Sequence, residues 1–121
     1  MAEFIFDTYA IIEIIKGNQA YLKYLQAIPV INDFILAELC YNLLKEHDAE
    51  TAEKYTEKYA PFSAHIDTEI IKSAMRFRYL NKKRKLSITD SISYFQSKKL
   101  KIKFLTGDKE FKNLENVEFV K

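Results

Sequence analysis

Four acidic residues, Asp7, Glu38, Asp90 and Asp108, stand where carboxylates could act together. Asp7 ends the short apolar run Phe4-Ile-Phe6, and Asp108 follows the β-type run Ile102 to Leu105 in the phrase Thr106-Gly-Asp108. Asp90 heads a helix in which Ile92 and Phe95 recur at helical spacing, and Glu38 lies on a helix face opposite an apolar stripe. Carboxylates brought close raise one another's pKa and weaken a fold, so a group of them needs a positive balance. His47, His65 and the single Cys40 show no ligand spacing, and hard oxygen donors favour Mg²⁺ or Mn²⁺ over Zn²⁺. Such an ion could activate a water and neutralise charge growing on a phosphodiester oxygen. Thr106 and Ser87 could hydrogen-bond a phosphate or a water of that ion.

Each acid also has an ordinary structural account. Asp7 suits a helix N-cap, Ser87-Ile-Thr-Asp90 matches a capping box, Gly107-Asp108 is common turn chemistry, and Glu38 could face solvent. What favours joint action is their placement: in open parallel sheets, ligand chemistry gathers at the carboxyl ends of strands.

The elements that must position these acids follow from the hydrophobic pattern. Phe4 to Phe6 reads as a strand, and Tyr9, Ile11, Ile12, Ile14 and Ile15 as a helix that Gly17 can end. Asn18 could cap a helix over Gln19 to Ala27, and Pro29 to Asn32 reads as a second strand. Asp33 is a plausible cap for a helix from Phe34 to about Lys45 with Leu36, Leu39, Cys40, Leu43 and Leu44 as its core stripe. Asp48 could cap a polar, peripheral helix over Ala49 to Ala60. Phe62 to Ile66 reads as a third strand, and Asp67 as the cap of a helix carrying Ile70, Ile71, Ala74, Met75, Phe77 and Leu80. Ser91 to Lys99 reads as a further helix, Ile102 to Leu105 as a strand, Lys109 to Leu114 as a helical turn, and Val117 to Val120 as a closing strand. Five short strands alternating with helices predict an α/β fold with a parallel sheet covered on both faces.

With 121 residues, 48% of them apolar, and only two Gly and two Pro, the chain predicts one globular domain over residues 1–121. The lone Cys40 allows no internal disulfide and reads as a buried thiol in a reducing compartment. No apolar run approaches membrane-spanning length and acids stand where a basic leader would be, so a cytoplasmic location is expected. The net charge of +2 hides a local excess: Lys82, Lys83, Arg84, Lys85, Lys98, Lys99, Lys101 and Lys103 surround a single acid, Asp90. That run is either a solvated surface or a track for a polyanion, with exposed Tyr to stack on unpaired bases.

The phrases Phe-Ile-Phe-Asp7-Thr-Tyr-Ala, Ile-Leu-Ala-Glu38-Leu, Leu-Ser-Ile-Thr-Asp90-Ser-Ile-Ser-Tyr and Phe-Leu-Thr106-Gly-Asp108-Lys-Glu-Phe, followed by Val117-Glu-Phe-Val120, resemble the PIN-domain ribonucleases. Within them, the VapC-type toxins of prokaryotic toxin–antitoxin pairs are most similar. The resemblance runs over essentially the whole chain. It implies a three-layer sandwich with a central parallel sheet, Asp7, Glu38, Asp90 and Asp108 around Mg²⁺ or Mn²⁺, and endonucleolytic cleavage of single-stranded RNA. It further implies a homodimer and a small antitoxin partner. Lys82, Lys83, Arg84 and Lys85 then become RNA-binding candidates, standing where relatives commonly have Gly. Ser91, Ser93 and Tyr94 replace residues that are often Ala. The alternative is a PIN-like RNA-binding or protein-interaction module without catalysis. A receiver-like phosphoacceptor would need paired acids after the first strand, and a haloacid-dehalogenase-like phosphatase an Asp-x-Asp, which Asp7-Thr-Tyr9 does not supply.

Overall fold

A computed structural model describes residues 2–121. Its centre is a four-stranded parallel sheet of β1 (Glu3–Phe6), β2 (Ile28–Val30), β3 (Lys103–Thr106) and β4 (Val117–Phe119), in the spatial order β2-β1-β3-β4. The chain runs to one side of β1 to form β2 and to the other side to form β3. A crevice therefore opens between the carboxyl ends of β1 and β3, where ligands bind in open α/β sheets. Phe4 lies beside Lys103 and Ile5 beside Phe104, so Phe4 and Phe104 point to opposite faces.

Each face receives its own layer. On the Phe4 side, α1 (Thr8–Lys16) is followed by a 3-10 segment, Gln19–Gln26, whose Tyr24 meets the Phe4 ring edge-on at 5.4 Å. Gly17, at φ 80°, takes the left-handed conformation that ends α1. On the other side, α5 (Ile88–Leu100) packs its Tyr94 between Phe104 and Phe111 at centroid distances of 6.5 and 5.7 Å. Between β2 and α5 come α2 (Asp33–Glu46), α3 (Ala49–Tyr59) and α4 (Thr68–Leu80), with α4 lying against α5 and α3 against α2.

α5 is the buried helix of this layer, and its composition shows how. Ser91, Ser93 and Ser97 are fully buried, and each hydroxyl donates to a main-chain carbonyl of its own helix: Ser87, Thr89 and Tyr94 respectively. Small side chains that satisfy themselves in this way let α5 approach both the sheet and α4 without orphaned polar groups. Gln96, also buried, accepts from Asn32 Nδ2 at 2.9 Å.

Several elements differ from the sequence expectation. The segment Phe62 to Ile66 does not form a full strand. A 3-10 turn at Ala60–Phe62 contains Pro61, which supplies no amide hydrogen, and among the described residues one bridge, Ile31 to Ser63, extends the β2 edge. The cap of α2 is Asn32, whose Oδ1 accepts from the Ile35 amide at 2.9 Å, while Asp33 is the first helical residue. Asn32 is buried and its Nδ2 serves Ser93 and Gln96, a task that a neutral amide performs without the desolvation cost of a carboxylate. The core stripe of α2 is Ile35, Leu39 and Leu43, with Leu44 half exposed and Cys40 and Leu36 partly covered. Residues 19–26 wind as 3-10 rather than α-helix. No helix among the described residues is long and apolar enough to cross a membrane.

Candidate active site

Asp7, Glu38, Asp90 and Asp108 all line one cleft of about 710 Å³ at the carboxyl ends of β1 and β3. Strand pairing brings two of them in: the Asp7 amide donates to the Leu105 carbonyl at 3.1 Å, which sets the end of β1 against the end of β3. Asp7 caps α1, its Oδ1 accepting from the Ala10 amide at 2.7 Å. The ordinary account of Asp7 as an N-cap therefore holds, and it leaves Oδ2 for other work. That second oxygen accepts from the hydroxyl of Thr106, which is fully buried. Thr106 Oγ1 accepts in turn from the Asp108 amide at 3.0 Å, so one hydroxyl ties the two acids. Asp108 then caps the 3-10 turn Lys109–Phe111 through the Glu110 amide at 2.9 Å.

The other two acids arrive on helices. Ser87 is the N-cap of α5 and its Oγ accepts from the Asp90 amide at 2.9 Å, which fixes Asp90 in the first turn. Glu38 projects from the middle of α2 and its Oε1 accepts from the Thr8 hydroxyl at 3.0 Å, joining α2 to the start of α1. Gly107 lies between Thr106 and Asp108 with no room for a side chain: a Cβ there would collide with the Tyr9 ring and stand 2.7 Å from the Val120 carbonyl.

Crowding shows in the ionisation of the two most enclosed acids. Burial, then the Asp90 charge, holds the Asp7 carboxyl well above its ordinary value, against the lowering effect of Thr106 and Ala10. Asp90 is pushed up to about 7 by burial, then by the charges of Glu38 and Asp108. Among the described residues none of the four acids is in an ion pair. Neither do three or more His, Cys, Asp or Glu side chains stand in a closed metal-ligand cluster among the described residues. The arrangement is an open cup of oxygen donors. It suits a hard divalent ion that is held by one or two carboxylates and keeps most of its water.

The cleft contains residues that the sequence reading passed over. Glu46 lines it one turn beyond Asn42, which shares the Glu38 face, and the spacing 38, 42, 46 is one helix face of α2, a signal available in the sequence. Glu13 and Lys16 of α1 line it too, paired with each other at 3.6 Å. Lys109 and Lys121 are its other cations, Lys121 Nζ lying 5.3 Å from the centre of the Tyr9 ring. Lys82, Lys83, Arg84 and Lys85 do not line the cleft. Lys82 lies over the exposed Tyr79 ring at 5.0 Å, and Arg84 faces Glu110 at 3.4 Å. His47 and His65 are exposed and outside the cleft.

A parallel α/β sandwich with acids gathered at the β1/β3 crevice defines a class, and comparison with known proteins identifies it. The PIN domain family model matches residues 4–117, and the chain belongs to that family, whose nucleases generally use divalent metal ions. Among solved structures, Mycobacterium tuberculosis VapC20, a sarcin–ricin loop cleaving toxin, is similar with a TM-score of 0.81 at 14% identity, covering 99% of this chain and 100% of that one. A toxin–antitoxin complex from Klebsiella pneumoniae gives 0.71 at 19% identity, with 98% and 96% covered. VapBC2 from Rickettsia felis, bound to a DNA fragment from its promoter, gives 0.73 at 16% identity, with 97% and 96% covered. At these identities the likeness is one of fold. No curated protein sequence matches the chain.

Proposed function

We infer that this protein is a Mg²⁺- or Mn²⁺-dependent endoribonuclease that cuts single-stranded RNA, and that it is the toxin of a toxin–antitoxin pair. The observation that carries this is the convergence of Asp7, Glu38, Asp90 and Asp108 on one cleft with no cation among the described residues paired to any of them. Asp7, Asp90 and Asp108 would hold the ion, directly or through water, and Glu38 would hold a water of its shell or a second ion. A bound divalent ion supplies an activated water at neutral pH and offsets charge developing on the phosphodiester.

The chain's own groups do the rest. The Thr106 hydroxyl, donating to Asp7 Oδ2, fixes the orientation of that carboxyl group and partly offsets the upward pull of burial on its ionisation. The Thr8 hydroxyl, donating to Glu38 Oε1, orients that side chain. Lys109 and Lys121 at the rim would bind phosphates flanking the scissile bond, and Lys82, Lys83 and Lys85 would extend that contact along the strand, giving salt-sensitive affinity. Tyr9, partly exposed in the cleft, offers a ring on which an unpaired base can stack. Leu25, Tyr41, Tyr79 and Leu80, each at least 61% exposed, supply apolar surface for a second copy and for an antitoxin. A cytoplasmic setting and a single nuclease domain over residues 1–121 complete the proposal.

The test is incubation of end-labelled single-stranded RNA with wild-type protein and Asp7→Asn, each with Mg²⁺, Mn²⁺ or EDTA. Cleavage by the wild type only, and only with metal, supports the proposal. Binding of RNA without cleavage under every condition would assign the fold to an inactive binding module.

A further inference from the structure

Arg84 is set apart from the lysines around it. Its side chain is 35% exposed and turns back to the β3 side of the molecule, where Nε faces Glu110 Oε1 at 3.4 Å and Nη2 donates to the Glu110 main-chain carbonyl. The same Glu110 sends its amide hydrogen to Asp108 Oδ1. One guanidinium thus grips, at two acceptors, the residue whose amide fixes one oxygen of Asp108.

The main chain of Arg84 is equally tied to the other acid. Its amide donates to Asn81 at 2.8 Å and its carbonyl accepts from the Leu86 amide at 2.9 Å, closing the loop before α5. Leu86 is buried and its carbonyl accepts from Arg78 Nε at 2.8 Å. Ser87, next in sequence, is the cap that fixes Asp90. The loop that presents Asp90 and the turn that presents Asp108 are therefore clasped by one side chain. Asp90 and Asp108 repel when ionised, and the turn after Asp108 is a single 3-10 turn, Lys109–Phe111, with little stiffness of its own.

We propose that Arg84 is a positioning residue that holds the Asp108 turn against the Asp90 loop, keeping both carboxylates at the spacing a shared divalent ion requires, and is not a contact for substrate phosphate. This rests on the nuclease reading above. A planar fork with several donors suits a paired carboxylate and carbonyl; a lysine keeps the charge but cannot span both acceptors.

The experiment measures Mn²⁺ affinity by electron paramagnetic resonance on RNA-free wild type, Arg84→Ala, Arg84→Lys, Glu110→Ala and the Arg84→Ala/Glu110→Ala double variant. Melting curves and kcat and KM on single-stranded RNA at saturating Mn²⁺ accompany it. Arg84→Ala is expected to weaken Mn²⁺ binding about tenfold, with KM for RNA within about twofold of wild type. Glu110→Ala should lose less because its carbonyl remains, Arg84→Lys should recover part of the loss, and the double variant should be no worse than Arg84→Ala. Unchanged Mn²⁺ affinity with a raised KM and a shallower salt dependence overturns the proposal in favour of a phosphate contact. If Arg84→Ala does not fold, Arg84→Lys and Glu110→Ala decide it: weaker Mn²⁺ binding supports the clasp and wild-type binding overturns it. A wild-type protein that binds no Mn²⁺ overturns the nuclease reading itself, an outcome distinct from equal binding by wild type and variants.

Discussion

Replacing Asp90 by Asn should stabilise the metal-free protein, and by an amount that depends on pH. Burial and the neighbouring Glu38 and Asp108 charges raise the Asp90 carboxyl from 3.8 to about 7. Because the folded value lies above the unfolded one, the native chain keeps a proton that the unfolded chain has lost over most of that window. Stability therefore falls as pH rises from about 4 to about 7 and stays low above it. At about 1.4 kcal/mol per unit, a difference of roughly three units costs about 4 kcal/mol at pH 8. At pH 5 the same arithmetic leaves under about 2 kcal/mol. Asn has nearly the shape of Asp and no charge, so Asp90→Asn should recover most of that cost. Urea unfolding in EDTA, followed by far-ultraviolet circular dichroism between pH 5 and pH 8, reads both stabilities. The variant should gain on wild type with rising pH, and saturating Mn²⁺ should shrink the gap by stabilising wild type alone. A variant less stable than wild type at pH 8 in EDTA, or a gap that does not change with pH, would refute the claim that Asp90 is charged at a cost.

Three further outcomes follow from the same geometry. Thr106→Val removes the donor to Asp7 and the acceptor for the Asp108 amide, and should lower kcat by about 10- to 100-fold while Thr106→Ser retains activity; equal rates in all three proteins would show the hydroxyl to be idle. Gly107→Ala places a methyl against the Tyr9 ring and the Val120 carbonyl, and should cost about 1–3 kcal/mol in denaturant unfolding while disturbing the cleft. Since Asp7 and Asp90 both hold protons above the usual carboxylate range, metal binding must displace them, and Mn²⁺ affinity should rise with pH from 5.5 to 8. A flat calorimetric profile from pH 5.5 to pH 8 would contradict that.

Much of the site was legible because its acids obey local rules. Asp7 and Asp108 each follow an apolar strand, Asp90 sits in a capping box, and all three caps exist in the structure. Capping need not compete with the proposed cation binding: the α1 cap uses only Oδ1 of Asp7, the 3-10 cap only Oδ1 of Asp108, and the α5 cap is the Ser87 hydroxyl rather than Asp90. What stayed hidden depends on partners distant in sequence. Asn32 and Asp33 are equally good caps by type, and only the buried Ser93 and Gln96, 61 and 64 residues on, select Asn32. Arg84 looked like one cation among several until the turn carrying Glu110 lay beside it. The α2 stripe was misplaced by one position at each end because α1, α3 and α5 surround that helix and bury Ile35 while leaving Leu44 open. Apolar content alone suggests a strand over Phe62 to Ile66, but Pro61 just before it turns the chain into a 3-10 segment.

Calorimetric titration of Mn²⁺ into wild-type protein and Asp7→Asn at pH 8 tests the shared-cation cleft most directly. Saturable binding by wild type, weakened at least about tenfold by Asp7→Asn with the melting transition intact, is the predicted result. No binding by wild type, or equal binding by both, would contradict it.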